Sequence, residues 1–203
     1  MKGENMINIS ENKEKFLQIA RDKIQRPGIE QLIQWLETTD FFVAPASTRY
    51  HLSVEGGLCQ HSLNVYERLQ SDISHEYGSD SPYSDETIAI ASLFHDLCKT
   101  NVYQVSTRNV KNQTTGAWEK QPYYTYEDAL PIGHGEKSYY ILNGFLRLSR
   151  EEAVAIMWHM GGFDTRVKGG DFSINKAYEM FPLAVMLHTA DLKATYLDEG
   201  GNA

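Results

Sequence analysis

The residues of this chain best suited to chemistry are His61, the adjacent pair His95-Asp96, Lys99, His134, His159 and Asp191. Neutral imidazole nitrogens and ionised carboxylate oxygens are ordinary ligands for zinc, iron or manganese. His95 and Asp96 close an apolar run, Ile88-Ala89-Ile90-Ala91-Ser92-Leu93-Phe94. Neighbours on a helix point about 100° apart, so the pair cannot share a helix face, but near a helix end it can converge on one ion. His61 follows Gly56-Gly57 at a helix start, His134 lies between two glycines, and His159 follows Ile156-Met157-Trp158. Asp191 sits in an apolar stretch, after Met186-Leu187 and before Leu192. Burying an unpaired charge costs several kcal/mol, and one shared metal site satisfies these imidazoles and carboxylates together. Taken singly, each has a plainer reading: a helix cap, a satisfied core histidine, a solvent-facing aspartate.

The elements that must position them are mostly helical. Ser10 reads as the N-cap of a first helix, with acids in its first turn and a stripe of Phe16, Ile19, Ala20 and Ile24. Pro27-Gly28 breaks it, and Ile29, Leu32, Ile33 and Leu36 form a second stripe. After an irregular stretch, Gly56-Gly57 opens a long helix from about Leu58 to Tyr77, with His61, Asn64, Val65 and Arg68 at helical spacing. Ser84 or Asp85 caps the next helix, apolar almost all round and therefore central, which ends in His95-Asp96. Residues 101–130 are β-prone, with a turn at Lys111 to Gly116, and read as a hairpin inserted in a helical domain. Helical pattern resumes near Gly133. Ser149 and Glu152 form a capping box for a helix ending near Trp158-His159. A Gly-rich flexible loop, Gly161 to Gly170, precedes a final helix from about Ile174 to Asp198, bent at Pro182. The expected fold is all-α, a single domain over 1–203: N-terminal helices and loop in 1–55, and a core over 56–198.

Composition narrows the function. The chain has 203 residues, 41% hydrophobic and 23% charged, with a net charge of −8. That balance is ordinary for a globular protein and argues against an extended nucleic-acid surface. A nucleotide or an oligonucleotide end remains compatible, because bound metal supplies local positive charge. The two cysteines, Cys59 and Cys98, each lie beside a histidine motif and do not suggest a disulfide framework. No stretch resembles a membrane span, and Met1 to Asn5 lacks the apolar core of a signal peptide, so the default compartment is the cytoplasm.

The order His61, His95-Asp96, Asp191 resembles the HD-domain superfamily of metal-dependent phosphohydrolases. The matching stretches are Gly56-Gly57-Leu58-Cys59-Gln60-His61-Ser62-Leu63, Leu93-Phe94-His95-Asp96-Leu97-Cys98-Lys99 and Thr189-Ala190-Asp191. Many members carry Gly where this chain has Cys98. The stretches Pro131 to Ser138 and Trp158 to Gly162 look like those in the HD domains of bacterial 3′-to-5′ exoribonucleases, whose nucleic-acid-binding β-barrel this chain does not show. The resemblance implies a helical HD bundle and a binuclear centre of divalent ions, with Mn, Fe, Zn, Ni and Mg not distinguished. His61, His95, Asp96 and Asp191 would hold one ion; Asp96, His134 and His159 would hold the other, with Asp96 bridging.

It also implies hydrolysis of a phosphomonoester or phosphodiester of a nucleotide-like substrate by a metal-activated hydroxide between ions about 3.5–4 Å apart. Lys99, one helical turn after Asp96, is a candidate for a phosphate contact or for charge stabilisation in catalysis; its plainer role is at a helix C-terminus. Asn64, Lys137 and Arg166 are further substrate-binding candidates, and Glu136 could hold the far nitrogen of a ligand histidine. Solvated or structural roles are the ordinary alternative for all four. His188 reads as packing, and His51 and His75 as structural or exposed. Trp118, Tyr123, Tyr124 and Tyr126 could stack a nucleobase, though sheet packing is the more ordinary role. Two other functions stay open. Mixed-valent diiron oxygenases of the same fold, such as inositol oxygenase, use the same ligand order. A nucleotide-binding sensor without turnover would be expected to lose ligands, and here the set is complete.

Overall fold

In the computed structural model, residues 7–200 are described, so Met1 to Asn5 and the last residues of the 1–203 unit lie outside them. The first helix, α1 (Ile9–Lys23), is capped by Asn8, whose side chain accepts the Glu11 N–H. Ser10, the expected cap, is already inside the helix. Asn and Ser cap about equally well, and Asn8 is the residue in extended backbone. Pro27-Gly28 separates α1 from α2 (Ile29–Glu37). The long helix α3 (Gly57–Tyr77) starts where the sequence places it. A Cβ on Gly57 would lie 2.1 Å from the Leu52 carbonyl oxygen. Only a glycine there lets residues 46–56 fold tightly over the start of α3.

Ser84 caps α4 (Asp85–Phe94), accepting from the Thr87 N–H. Every residue from Ile88 to Phe94 is buried, because α4 packs against α1, α3 and α6. Phe94 meets Phe16 edge-on at 5.7 Å between ring centroids. The helix ends at His95. Asp96 leaves helical geometry, and Leu97–Lys99 forms a 3₁₀ turn, so the expected helical turn through Lys99 is tighter than α.

The hairpin is β1 (Tyr103–Lys111) paired antiparallel with β2 (Trp118–Tyr126), from Tyr103↔Tyr126 to Lys111↔Trp118. Asn112 builds its turn by accepting the Thr114 and Thr115 N–H groups. The sheet packing expected for its aromatics fails at the tip. Trp118 is 70% exposed, since two strands have no second layer there to cover them. At the base, Tyr103 packs on the core and sits 5.9 Å from the Tyr126 ring.

Helix α5 (His134–Asn143) packs on the 97–99 turn and on α6 (Arg150–Trp158). The Ser149–Glu152 capping box is formed in both directions. The segment expected to be a flexible loop has internal order: a 3₁₀ turn at Gly161–Phe163, then a short helix, α7 (Thr165–Lys168), capped by Asp164. The expected bent final helix is two helices, α8 (Ser173–Met180) and α9 (Pro182–Lys193). Pro182 disfavours helical backbone at Phe181 and itself begins the new helix. A π turn, Ala194–Asp198, follows α9. The described chain is thus mostly helical with one small antiparallel hairpin, and no described helix is long and apolar enough to cross a membrane.

Candidate metal centre

Four helices deliver their polar ends to one buried point. His61 comes from the first turns of α3, His95 and Asp96 from the end of α4, His134 from the start of α5, and His159 from the end of α6; α9 adds Asp191. Asp96 is the centre. Its Oδ2 lies 3.5 Å from His61 Nε2, 3.4 Å from His95 Nε2 and 2.7 Å from Lys99 Nζ. Its Oδ1 lies 2.8 Å from His134 Nε2 and 3.5 Å from His159 Nε2. One carboxylate therefore faces two different sets of imidazoles. On the first side, Asp191 Oδ1 is 3.2 Å from His61 Nε2, and His95 Nε2 is 3.3 Å from the same nitrogen. Cys98 Sγ reaches to 3.3 Å from His134 Nδ1 on the second side.

The tautomers show what this cluster lacks. His95 Nδ1–H donates to the Ser92 carbonyl and His159 Nδ1–H to the Ile156 carbonyl, each at 2.7 Å. His61 Nδ1–H donates to Glu199 at 3.0 Å. A neutral imidazole that donates from Nδ1 presents a lone pair at Nε2. With His61, His95 and His159 in their neutral forms, three such lone pairs converge with the oxygens of Asp96 and Asp191. His159 Nε2 is fully buried and has no hydrogen-bond partner. A gathering of acceptors around an orphaned nitrogen fits a cation. Donor atoms of His61, His95 and Asp191 lie within 4.8 Å of one another, as do those of His95, Asp96 and His159 and those of Asp96, Cys98 and His134.

Electrostatics agree. Burial opposes ionisation of Asp96, yet Lys99 and the surrounding imidazoles hold it well below the usual carboxylate range. Burial likewise opposes charge on His61, but Glu199 and Asp191 raise it to about 10. A proton gripped this firmly between carboxylates occupies the place of a cation. Burial pushes the Cys98 thiol up to about 12, so without metal it is a neutral SH. His134 is the member most open to solvent, with its side chain 30% exposed against 17% for Asp191, and marks the side from which a ligand can approach.

Several sequence candidates occupy other roles. Lys137 is buried and ion-paired with Asp128, so it is not free to meet phosphate. Arg166 is engaged by Glu136 at 2.5 Å, Asp164 at 2.8 Å and the Met157 carbonyl, and lies 3.7 Å over the Trp158 ring. It anchors α7 to α6 rather than facing the centre. Glu136 serves that anchor and touches none of the ligand histidines. Asn64 makes no hydrogen bond to His61 itself; it donates to Glu199 at 2.7 Å, and Glu199 holds His61. His188 donates to the His159 carbonyl at 2.6 Å. Sequence reading missed Glu199 and undervalued His51, whose ring centroid is 4.9 Å from that of His61 and whose buried Nε2 makes no hydrogen bond but lies 4.0 Å from Glu199. Burial and the charges of His61 and Lys99 lower His51 to about 4. Nothing periodic marks either residue; a buried carboxylate after a helix end becomes visible only in three dimensions.

Helix α5 can bring His134 this close because Gly135 has no side chain. A Cβ there would lie 2.4 Å from the Met157 carbonyl oxygen and 2.8 Å from that of Ile156. Gly135→Ala is expected to push α5 off α6, cost about 1–3 kcal/mol in urea unfolding, and draw His134 away from Asp96.

No family model, curated protein or solved structure matches this chain.

Proposed function

We propose that the chain is a metal-dependent phosphohydrolase of the HD-domain superfamily, cleaving a phosphomonoester or phosphodiester of a nucleotide-like substrate at a centre for two divalent ions. The observation that carries this reading is the division of Asp96, one oxygen toward His61 and His95, the other toward His134 and His159, with His159 Nε2 left unpaired. His61, His95, Asp96 and Asp191 would hold one ion, and Asp96, His134 and His159 the other. Bound ions of this kind supply an acidified water nucleophile and a clamp on a phosphoryl group. The chain's own residues do the rest. Asp96 is kept ionised in a buried place, so it can hold charge on both sides without a proton to expel. Lys99, held to Asp96 Oδ2 at 2.7 Å, supplies a fixed positive charge beside it that adds to the field met by an anionic substrate entering past His134.

Elemental analysis of protein purified without added metal, followed by a phosphatase and phosphodiesterase panel, tests the reading. About two ions per chain and turnover of a nucleotide ester are expected. Stoichiometry near zero would overturn it. Iron with a mixed-valent paramagnetic signal and oxygen-dependent turnover would replace it with an oxygenase. Removing metal by chelation should also lower the melting temperature, since a ligand at 1,000 times its Kd adds about 4 kcal/mol. A melt unchanged by chelation and by added metal would count against the site.

A further inference from the structure

We infer that Glu199 is a positioning residue for the metal centre, fixing His61 through a directed chain of hydrogen bonds that starts on α1. The inference rests on the metal-centre reading above. The donors and acceptors run one way as far as Glu199, where they meet the His61 N–H. Asn12 Nδ2 donates to Gln60 Oε1 at 2.8 Å, Gln60 Nε2 to Asn64 Oδ1 at 2.7 Å, and Asn64 Nδ2 to Glu199 Oε1 at 2.7 Å. The Glu199 carboxylate, 1% exposed, then accepts His61 Nδ1–H at 3.0 and 3.1 Å. Each amide has one orientation that satisfies its neighbours, so the chain as a whole presents a carboxylate to His61. A carboxylate on the far nitrogen of a ligand imidazole fixes the tautomer, orients the ring and raises its basicity.

The path of the chain explains how residue 199 comes to a histidine at 61. Beyond α9 the π turn Ala194–Asp198 closes with Glu199 N–H donating to the Ala194 carbonyl at 3.0 Å. This segment meets one stripe of α3: Lys193 pairs with Asp72 at 2.7 Å, Asp198 with Arg68, and Glu199 with Asn64 and His61. Asp72, Arg68, Asn64 and His61 are spaced four, four and three residues apart, which is one helix face. The outer two pairs are partly exposed and dock the segment; the innermost contact is buried and touches a candidate ligand. Pi-type turns inside helices often sit at functional places, and here the turn carries a carboxylate to one.

Zn²⁺ affinity, measured by competition with a chromophoric chelator, separates positioning from mere docking. Glu199→Gln keeps the shape of the side chain and is expected to weaken Zn²⁺ binding about 10–100-fold with a small change in melting temperature. Arg68→Ala loosens the same segment and should leave Zn²⁺ affinity nearly unchanged. In a His61→Ala background, Glu199→Gln should have no further effect, as a double-mutant cycle requires of a residue acting through His61. Wild-type affinity in Glu199→Gln, alongside weakened binding in His61→Ala, would overturn the positioning role. So would an equal loss in Arg68→Ala, or an undiminished effect of Glu199→Gln without His61. Zn²⁺ affinity unaltered by His61→Ala would sink the metal-centre reading itself, a distinct outcome.

Discussion

On the proposed phosphohydrolase reading, Asp96→Asn is expected to yield a folded protein that retains little metal and turns over a phosphate ester about a thousandfold more slowly, or worse. The substitution keeps the volume of the side chain but removes the charge shared by both sides of the centre. One oxygen becomes an NH2 that cannot ligate a cation, so either the side of His61, His95 and Lys99 or the side of His134 and His159 loses its acceptor, and the oxygen left on the other side is uncharged. Losing about 4 kcal/mol of transition-state stabilisation corresponds to roughly a thousandfold in rate, and a metal clamp supplies several kcal/mol. Elemental analysis and steady-state kinetics read the effect, and far-UV circular dichroism checks that the helices persist. An Asp96→Asn protein carrying its full complement of metal would remove Asp96 from the middle of the site.

Arg26→Ala should be the most damaging of the substitutions away from the centre, at about 3–5 kcal/mol. Glu152 has no exposed surface, and Arg26 grips it with two bonds, at 2.7 and 3.1 Å, while also bonding Glu86 at 3.1 Å. Arg26 lies between α1 and α2, whereas Glu86 and Glu152 lie in the first turns of α4 and α6. One guanidinium thus ties the N-terminal helices to the starts of the two helices whose far ends carry His95, Asp96 and His159. Without it a buried carboxylate has only Thr87 and the Ser149 N–H as partners. In a domain of this size the loss should appear as a melting temperature lower by roughly 6–20 °C. Replacing both members with apolar residues, Arg26→Met with Glu152→Leu, should recover much of it, because neither charge is then stranded.

The same pair gives the protein an acid limit. Burial opposes ionisation of Glu152, but the hydrogen bonds from Arg26 and the Ser149 N–H outweigh it and hold the carboxyl below its ordinary 4.5. The folded protein therefore releases that proton more readily than the unfolded chain. The pair's stabilisation is complete above pH 4.5 and is lost as pH falls through the lower folded value. Urea midpoints measured down through that range should fall more steeply for wild type than for the Arg26→Met, Glu152→Leu double variant.

Much of this architecture was legible locally. Ser84 and Ser149 are caps because a short polar side chain reaches the N–H three residues on, an interaction written within one turn. The apolar run from Ile88 to Phe94 could only be a central helix, and a central helix must bring whatever ends it into the interior. That is why His95 and Asp96 could be placed at a buried centre, and why His61, His134 and His159, each at a helix boundary, met them there. Local signals also misled. Asn8 outcompeted Ser10 two residues away, and Pro182 made two helices of a pattern that read as one. The Asn112 turn was recognisable, yet the exposure of Trp118 was not, because burial depends on what packs above a strand.

Which charges meet across distant segments was decided by the tertiary structure. Lys137 and Arg166 have the right chemistry for phosphate, but Asp128 occupies the first, and Glu136 and Asp164 the second. Lys99, which the sequence already sets one turn after Asp96, is the cation that reaches it. Glu199 stands 138 residues from the imidazole it holds. The residue types and their order determined that acceptors would gather around His95-Asp96, since helix ends and apolar faces are local properties of the chain. The partners that orient those acceptors come from distant segments, and a charged side chain pairs with whichever opposite charge the fold brings within reach, not with one its own spacing names.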